Sequence, residues 1–246
     1  MLEDLIIAEG QPDNYDLCGC RYIISGARLK HFSYLGSLDD GCCIINTPSL
    51  VGVAVDVFSC KSITLGRMRA YCTYKLLTGL KNIKLLSLST ETLQVLSHTE
   101  ESTAHPLPLF DNLEKLIVCG KAVDFAGSGR MLMMILQHSP HLETLEFSWG
   151  IDFLANDDRI FVDPMPACFS THLKKVIIRM FDERHVTKEE LHVIKSLLLS
   201  AQGLKELRFS VCEINKTHFR DLISSLPAGL VRPGTNIYIN GESVVA

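Results

Sequence analysis

Leu142-Glu-Thr-Leu145-Glu-Phe147 and Leu173-Lys-Lys-Val176-Ile-Ile178 share one arrangement: apolar, two free positions, apolar, one free position, apolar. Moving outward, the same spacing returns as Leu113/Leu116/Val118 and Ile83/Leu86/Leu88 on one side, and as Leu204/Leu207/Phe209 on the other. Fainter copies precede them at Leu50/Val53/Val55, Leu29/Phe32/Tyr34 and Leu2/Leu5/Ile7. The start-to-start distances are 27, 21, 33, 30, 29, 31 and 31 residues, so the C-terminal half is regular and the N-terminal half is not. Within each copy the last two apolar positions alternate with period 2, the mark of a short strand buried on one face. About thirty residues per unit leave room for a returning helix, and a strand–helix unit repeated in this way gives right-handed crossovers and a parallel sheet. The expected fold is α/β: a leucine-rich-repeat solenoid, a curved parallel sheet with helices on the outer face. No unit of such an array buries its apolar residues alone; its neighbours complete the core.

The returning helices can be placed. Thr187-Lys-Glu-Glu190 is a capping box, in which the Thr hydroxyl accepts from a free amide and Glu190 reaches back. Behind it Leu191, Ile194, Leu198 and Ala201 are expected on the core face. Asn215 suits the N-cap of a helix carrying Phe219, Leu222, Ile223 and Leu226. A third helix, from about Arg130 to His138, carries Met131, Met134, Ile135 and His138 and stops at Pro140. Residues 67–80 form a fourth candidate.

The positions that alternate with the buried ladder define an open face. On the regular half its first row is Lys115, Thr144, Lys175 and Glu206. The second is Ile117, Glu146, Ile177 and Arg208, and the third is Cys119, Ser148, Arg179 and Ser210. Charges mixed with isolated aliphatics suit a protein or peptide better than a small apolar molecule. Solvation of a free sheet face gives the same pattern. The candidate protein-binding residues are therefore Lys115, Ile117, Thr144, Glu146, Ser148, Lys175, Ile177, Arg179, Glu206 and Arg208.

Composition narrows the partner. Hydrophobic residues at 47% and charged residues at 21% are globular values. A net charge of −4 and a pI near 6.1 are not those of a chain built to grip phosphate backbones, so no nucleic-acid partner is expected. Residues 173–209 hold eight basic side chains against five acidic ones, a local excess that could attract an acidic segment. The most apolar stretch, residues 42–58, is broken by Asn46, Pro48 and Asp56 and is too short to span a bilayer, so no membrane partner is expected. Leu2-Glu-Asp-Leu-Ile-Ile7 carries acids and no basic segment, unlike a secretory signal. The nine cysteines, odd in number and scattered, then read as reduced thiols of a cytoplasmic or nuclear protein.

No catalytic motif stands out, and no enzyme activity, cofactor or metal is expected. Ala126-Gly-Ser-Gly129 lacks the Gly-Lys-Ser/Thr ending of a phosphate loop and reads as a turn before a helix. Cys18-Gly-Cys20 and Cys42-Cys43 could offer four thiolates, but their spacing is not that of usual zinc chelation. His138 and His141 flank Pro140 and are expected to cover a helix end. Trp149, the only tryptophan, is either a binding anchor or a roof over the core at a strand end, the roof being the commoner role.

Four stretches carry a family likeness: Leu76-Leu-Thr-Gly-Leu-Lys-Asn-Ile-Lys-Leu-Leu-Ser-Leu-Ser89, Leu107-Pro-Leu-Phe-Asp-Asn-Leu-Glu-Lys-Leu116, Ile135-Leu-Gln-His-Ser-Pro-His-Leu-Glu-Thr-Leu145, and residues 166–209 with Pro166-Ala-Cys-Phe169 and Leu204-Lys-Glu-Leu207. Together they resemble the plant F-box/leucine-rich-repeat proteins of the FBD type. The likeness implies the substrate-recognition arm of an SCF-type (cullin) ubiquitin-ligase receptor, whose N-terminal F-box docks a Skp-type adaptor. Here Met1 is followed at once by a repeat strand. A Skp-type adaptor is therefore expected only if an F-box lies upstream. The alternative is a stand-alone repeat module, or a truncated decoy with no ligase connection. Phe181-Asp182 is followed by Glu183 where the family often has Gly, which alters a turn and not the fold.

The expected organisation is a leucine-rich-repeat region over 1–165, irregular in its N-terminal half, FBD-like final repeats over 166–210, and a C-terminal helix and capping tail over 211–246. Loops near 98–108 and 152–166 are the expected exposed insertions, and Asn236-Ile-Tyr-Ile-Asn240 is a possible closing strand.

Overall fold

In every copy of the repeat but the first, the three apolar positions are buried, from Leu29, Phe32 and Tyr34 to Leu204, Leu207 and Phe209. The computed structural model describes residues 2–9, 21–60, 62–98, 107–120, 127–154, 165–180, 186–227 and 229–244. The chain is mixed α/β with a mostly parallel sheet. In chain order its strands are β1 (Asp4–Ala8), β2 (Tyr22–Ser25), β3 (His31–Gly36), β4 (Cys42–Ile45), β5 (Gly52–Val57), β6 (Leu85–Ser89), β7 (Lys115–Cys119), β8 (Thr144–Phe147), β9 (Lys175–Met180), β10 (Glu206–Val211), β11 (Asn236–Ile239) and β12 (Glu242–Ser243). Its helices are α1 (Ile63–Thr78), α2 (Thr90–Ser97), α3 (Ser128–Gln137), α4 (Ala167–Thr171), α5 (Lys188–Ser200) and α6 (Lys216–Ser224).

One open ten-stranded sheet runs β1-β3-β5-β6-β7-β8-β9-β10-β11-β12. Every pair in it is parallel except the closing β11–β12 hairpin. Buried apolar residues of the strands and of all six helices join one hydrophobic cluster. The register repeats a backbone joint. At the starts of β3 and β5–β10, two successive amides donate to one carbonyl of the preceding unit: Lys30 and His31 to Glu3, Val51 and Gly52 to Lys30, and Lys84 and Leu85 to Val51. The joint continues with Glu114 and Lys115 on Lys84, Glu143 and Thr144 on Glu114, Lys174 and Lys175 on Glu143, and Lys205 and Glu206 on Lys174.

The helices match the expected ones with shifted centres. The Thr187 capping box is present: Glu190 N donates to Thr187 Oγ1 at 3.1 Å, and Thr187 N donates to Glu190 Oε2 at 2.9 Å. The core face of α5 is Val193, Ile194, Leu197, Leu198 and Ala201, with Leu191 only half-buried. In α3, Leu132 and Leu136 join Met131 and Ile135 in the core, while Met134 is half-buried. Asn215 stands at the start of α6 as expected, but its side chain makes no capping hydrogen bond there, because a 3-10 turn at Glu213–Asn215 already leads into the helix. Gly127, at φ +79°, forms the expected turn before α3.

Three expectations need correction. Leu2 is 64% exposed and Leu5 and Ile7 only half-buried, because β1 is an edge strand with a neighbour on one side alone. In the first two units no returning helix is found among the described residues. Spacings of 27 and 21 residues leave little room for one, and Tyr22-Ile-Ile-Ser25 and Cys42-Cys-Ile-Ile45 form a second, two-stranded parallel sheet, β2–β4, which packs on α1. Helix α2 was not foreseen. It starts directly after β6, where Ser89 accepts from Thr92 N at 3.0 Å as N-cap. Most of the two proposed insertions, residues 99–106 and 155–164, and the Phe181–Glu183 turn lie outside the described residues. Leu107 and Pro108, at the end of the first, are buried.

Candidate protein-binding face

Strand alternation turns the free positions of each repeat away from the core, and the observed pairing sets them side by side. Lys115, Thr144, Lys175 and Glu206 are direct register partners across β7–β10. So are Ile117, Glu146, Ile177 and Arg208. In the third row Arg179 pairs with Ser210, and Ser148 follows β8 with its amide on Val118 O at 2.8 Å. All ten candidate residues thus lie on one face. The rows extend further than expected, to Leu85, Ser87 and Ser89 on β6 and to Asn236 and Tyr238 on β11. The β6 residues carry the same offsets from Ile83 as the rest do from their own leading residue. The β11 residues had no such signal, since Gly234 stands where the leading apolar residue would be.

Charge organises this face. Glu146 is only 5% exposed, yet it sits on the open side of the sheet. Its Oε2 meets Lys115 Nζ at 2.8 Å, and its Oε1 accepts from Arg179 Nε at 2.9 Å. Burial pushes the Glu146 carboxyl up, but the hydrogen bonds and charges of Lys115 and Arg179 outweigh it and hold the group below the usual carboxylate value. Ile117 and Ile177 flank it, half-buried, in the same row. A second cluster repeats the arrangement two strands on. Glu206 Oε2 lies 3.3 Å from Lys175 Nζ and accepts from Arg208 Nε at 2.9 Å, and the Arg208 guanidinium sits 5.1 Å from the centre of the Tyr238 ring. Burial raises the Glu206 carboxyl too, and Arg208 and Lys175 again lower it more.

The other singled-out residues fall elsewhere. Trp149 is 50% exposed rather than a roof; the core beyond β8 is closed by Ile151, Phe153 and Leu154, all buried. His138 caps α3, with its Nδ1 2.8 Å from Met134 O, whereas His141 is exposed and stacks edge-on against His172. Cys42, Cys43 and Cys72 line a small cleft with Arg21, Tyr71 and Lys75. Burial pushes the Cys42 thiol up to about 12, so it stays protonated. Cys18 and Cys20 lie outside the described residues. Among the described residues no group of three or more His, Cys, Asp or Glu side chains could hold a metal ion, and no helix is long and apolar enough to cross a membrane.

The fold is thus a mostly parallel α/β sheet with a ladder of buried leucines and a charged open face. Comparison with known proteins adds the relationship. Residues 163–209 match the FBD family model. The chain is 33% identical to a provisionally named F-box protein of Arabidopsis thaliana over 58% of its own length and 34% of the relative's. It is 30% identical to an Arabidopsis thaliana F-box/LRR-repeat protein over 56% of its length and 29% of the relative's. A second F-box/LRR-repeat protein of that plant is 29% identical over 58% and 30%. The chain thus covers about a third of the length of these relatives. No solved structure matches. The chain is related to the plant F-box/LRR-repeat proteins of the FBD type, as its motifs suggested.

Proposed function

We propose that this chain is a protein-binding leucine-rich-repeat solenoid, the target-reading arm of an F-box receptor of the SCF type. In this reading residues 1–165 form the repeat region, 166–210 the FBD-like final repeats and 211–246 the closing helix and tail. The open face of β7–β10 holds the target, which is captured for ubiquitin transfer in the cytoplasm or nucleus. The chain itself catalyses nothing and needs no cofactor. A Skp-type adaptor joins through an F-box. The observation that carries this reading is the alignment of the candidate side chains in register across β7–β10, beside a buried leucine ladder, in a chain whose relatives are named for F-boxes and leucine-rich repeats.

The test is affinity capture from plant tissue with the tagged chain and with Ile177→Asp, each with and without proteasome inhibition. The expected result is a partner that accumulates on inhibition and is lost with Ile177→Asp, while the variant unfolds at nearly the wild-type denaturant concentration. A partner retained by Ile177→Asp would refute the face. A partner lost with it but unchanged by inhibition would refute the ligase connection and leave a stand-alone binding module.

A further inference from the structure

The open face is electrically divided. Its N-terminal half carries Asp4 on β1 and Asp56 on β5 in the first and third rows. Its C-terminal half, β7–β10, carries four cations, Lys115, Lys175, Arg179 and Arg208, against two carboxylates, Glu146 and Glu206. Each carboxylate lies between two of these cations, so among the described residues each cluster keeps one positive charge that its carboxylate does not balance. The carboxylates also hold the cations in place, which lowers the entropy cost of presenting them to a ligand. The cations stay accessible, with side-chain exposures of 34% for Lys115, 40% for Arg179, 30% for Lys175 and 46% for Arg208. Between the clusters lies the half-buried aliphatic Ile177.

We propose that the target segment bound by β7–β10 is an extended acidic peptide running obliquely across the strands, with two carboxylate side chains three to four residues apart and an apolar residue between them. The inference rests on the proposed binding role of this face and adds the chemistry of the partner. The spacing follows from geometry: Glu146 and Glu206 are two strands apart, roughly 10 Å at about 4.8 Å per strand, and one row apart along the strand, roughly 7 Å at about 3.3 Å per residue; the diagonal of about 12 Å is one that an extended chain covers in three to four residues. The peptide carboxylates take the charge that Glu146 and Glu206 leave uncompensated, and the apolar residue meets Ile177. Glu146 and Glu206 are then internal competitors. They organise the cations but also weaken the attraction for the ligand's own acids.

This gives a test with an unusual sign. A phage-displayed library of random dodecapeptides is selected against the whole chain, and the best peptide is synthesised and titrated by fluorescence anisotropy. Selected sequences should be enriched in Asp or Glu pairs three or four apart. Lys175→Glu and Arg208→Glu should each weaken binding by about tenfold or more, since like charges then face each other. Glu146→Gln and Glu206→Gln, which keep shape and remove the competing charge, should strengthen it by about threefold, the scale of a partly exposed pair. Glu206→Gln lies at the more exposed cluster and keeps the test open if Glu146→Gln fails to fold. Peptides without acidic enrichment that are nonetheless lost with Ile177→Asp would overturn the acidic inference and keep the binding face. Peptides that survive Ile177→Asp would overturn both. A library that yields no binder, or Gln variants that weaken binding, would overturn the proposal.

Discussion

Arg69 provides the sharpest test of how the irregular N-terminal half is held together. It lies on α1, with its side chain 7% exposed, and meets Asp39, whose side chain is 15% exposed. Arg69 Nε donates to Asp39 Oδ1 at 2.6 Å and Nη2 to Asp39 Oδ2 at 3.1 Å, while Nη1 donates to Phe58 O at 2.8 Å. One guanidinium thus ties the turn after β3 and the end of β5 to the helix. Arg69→Ala leaves a largely buried carboxylate and a carbonyl without these donors, so the loss should be about 3–5 kcal/mol. For a chain of this size that lowers the melting temperature by on the order of 10 °C. Arg69→Lys supplies a point charge without the fork and should fall in between. Asp39→Asn combined with Arg69→Met removes both charges and should cost less than the sum of the two single changes. The assay is urea unfolding followed by far-UV circular dichroism, with a constant slope on urea showing that the same surface is exposed in each variant. A loss under about 1 kcal/mol for Arg69→Ala, the worth of a solvated surface pair, would refute the argument. So would additivity of the two changes.

Three further outcomes are expected. Thr92 Oγ1 accepts from Val57 N at 2.8 Å and donates to Val55 O at 3.1 Å at the end of β5, so Thr92→Val should cost about 1–3 kcal/mol in the same assay by leaving buried backbone groups unpaired. Thr187→Ala removes half of the α5 capping box and should cost about 1 kcal/mol, with amide exchange rising first over residues 188–191. For Glu146 the folded carboxyl lies below its ordinary 4.5, so its contribution is complete above that value and is lost as pH falls through the lower folded value. Urea unfolding across that acid range should show a weaker loss of stability for Glu146→Gln than for the wild type, and equal slopes would exclude the clamp.

What could be foreseen depended on how local the determinant was. The ladder from Leu50 to Phe209 was legible because each buried position answers to its own short period, and the open face followed by alternation alone. The Thr187 cap was legible because both partners lie within four residues. The β2–β4 sheet was not, because the pairing of Tyr22–Ser25 with Cys42–Ile45 depends on a neighbour some twenty residues away. Trp149 was misjudged for a related reason: Ile151, Phe153 and Leu154 reach the core first, and nothing local ranks them above a tryptophan. The clamp on Glu146 needed the register of three strands at once. The alternating positions of the open face named its members without showing that one carboxylate would sit between two cations.

The paired-amide joint at the starts of β3 and β5–β10 bears on how such a chain changes over generations. The joints recur although the stretches between their acceptor carbonyls vary from 21 to 33 residues. A gene could therefore gain, lose or lengthen a whole interval and leave the connections on either side intact. A slip of a single residue at a joint is different in kind, since it would turn a buried leucine outward and a face charge inward. Inheritance in this architecture is thus tolerant of large edits that respect the joints and intolerant of small ones that do not.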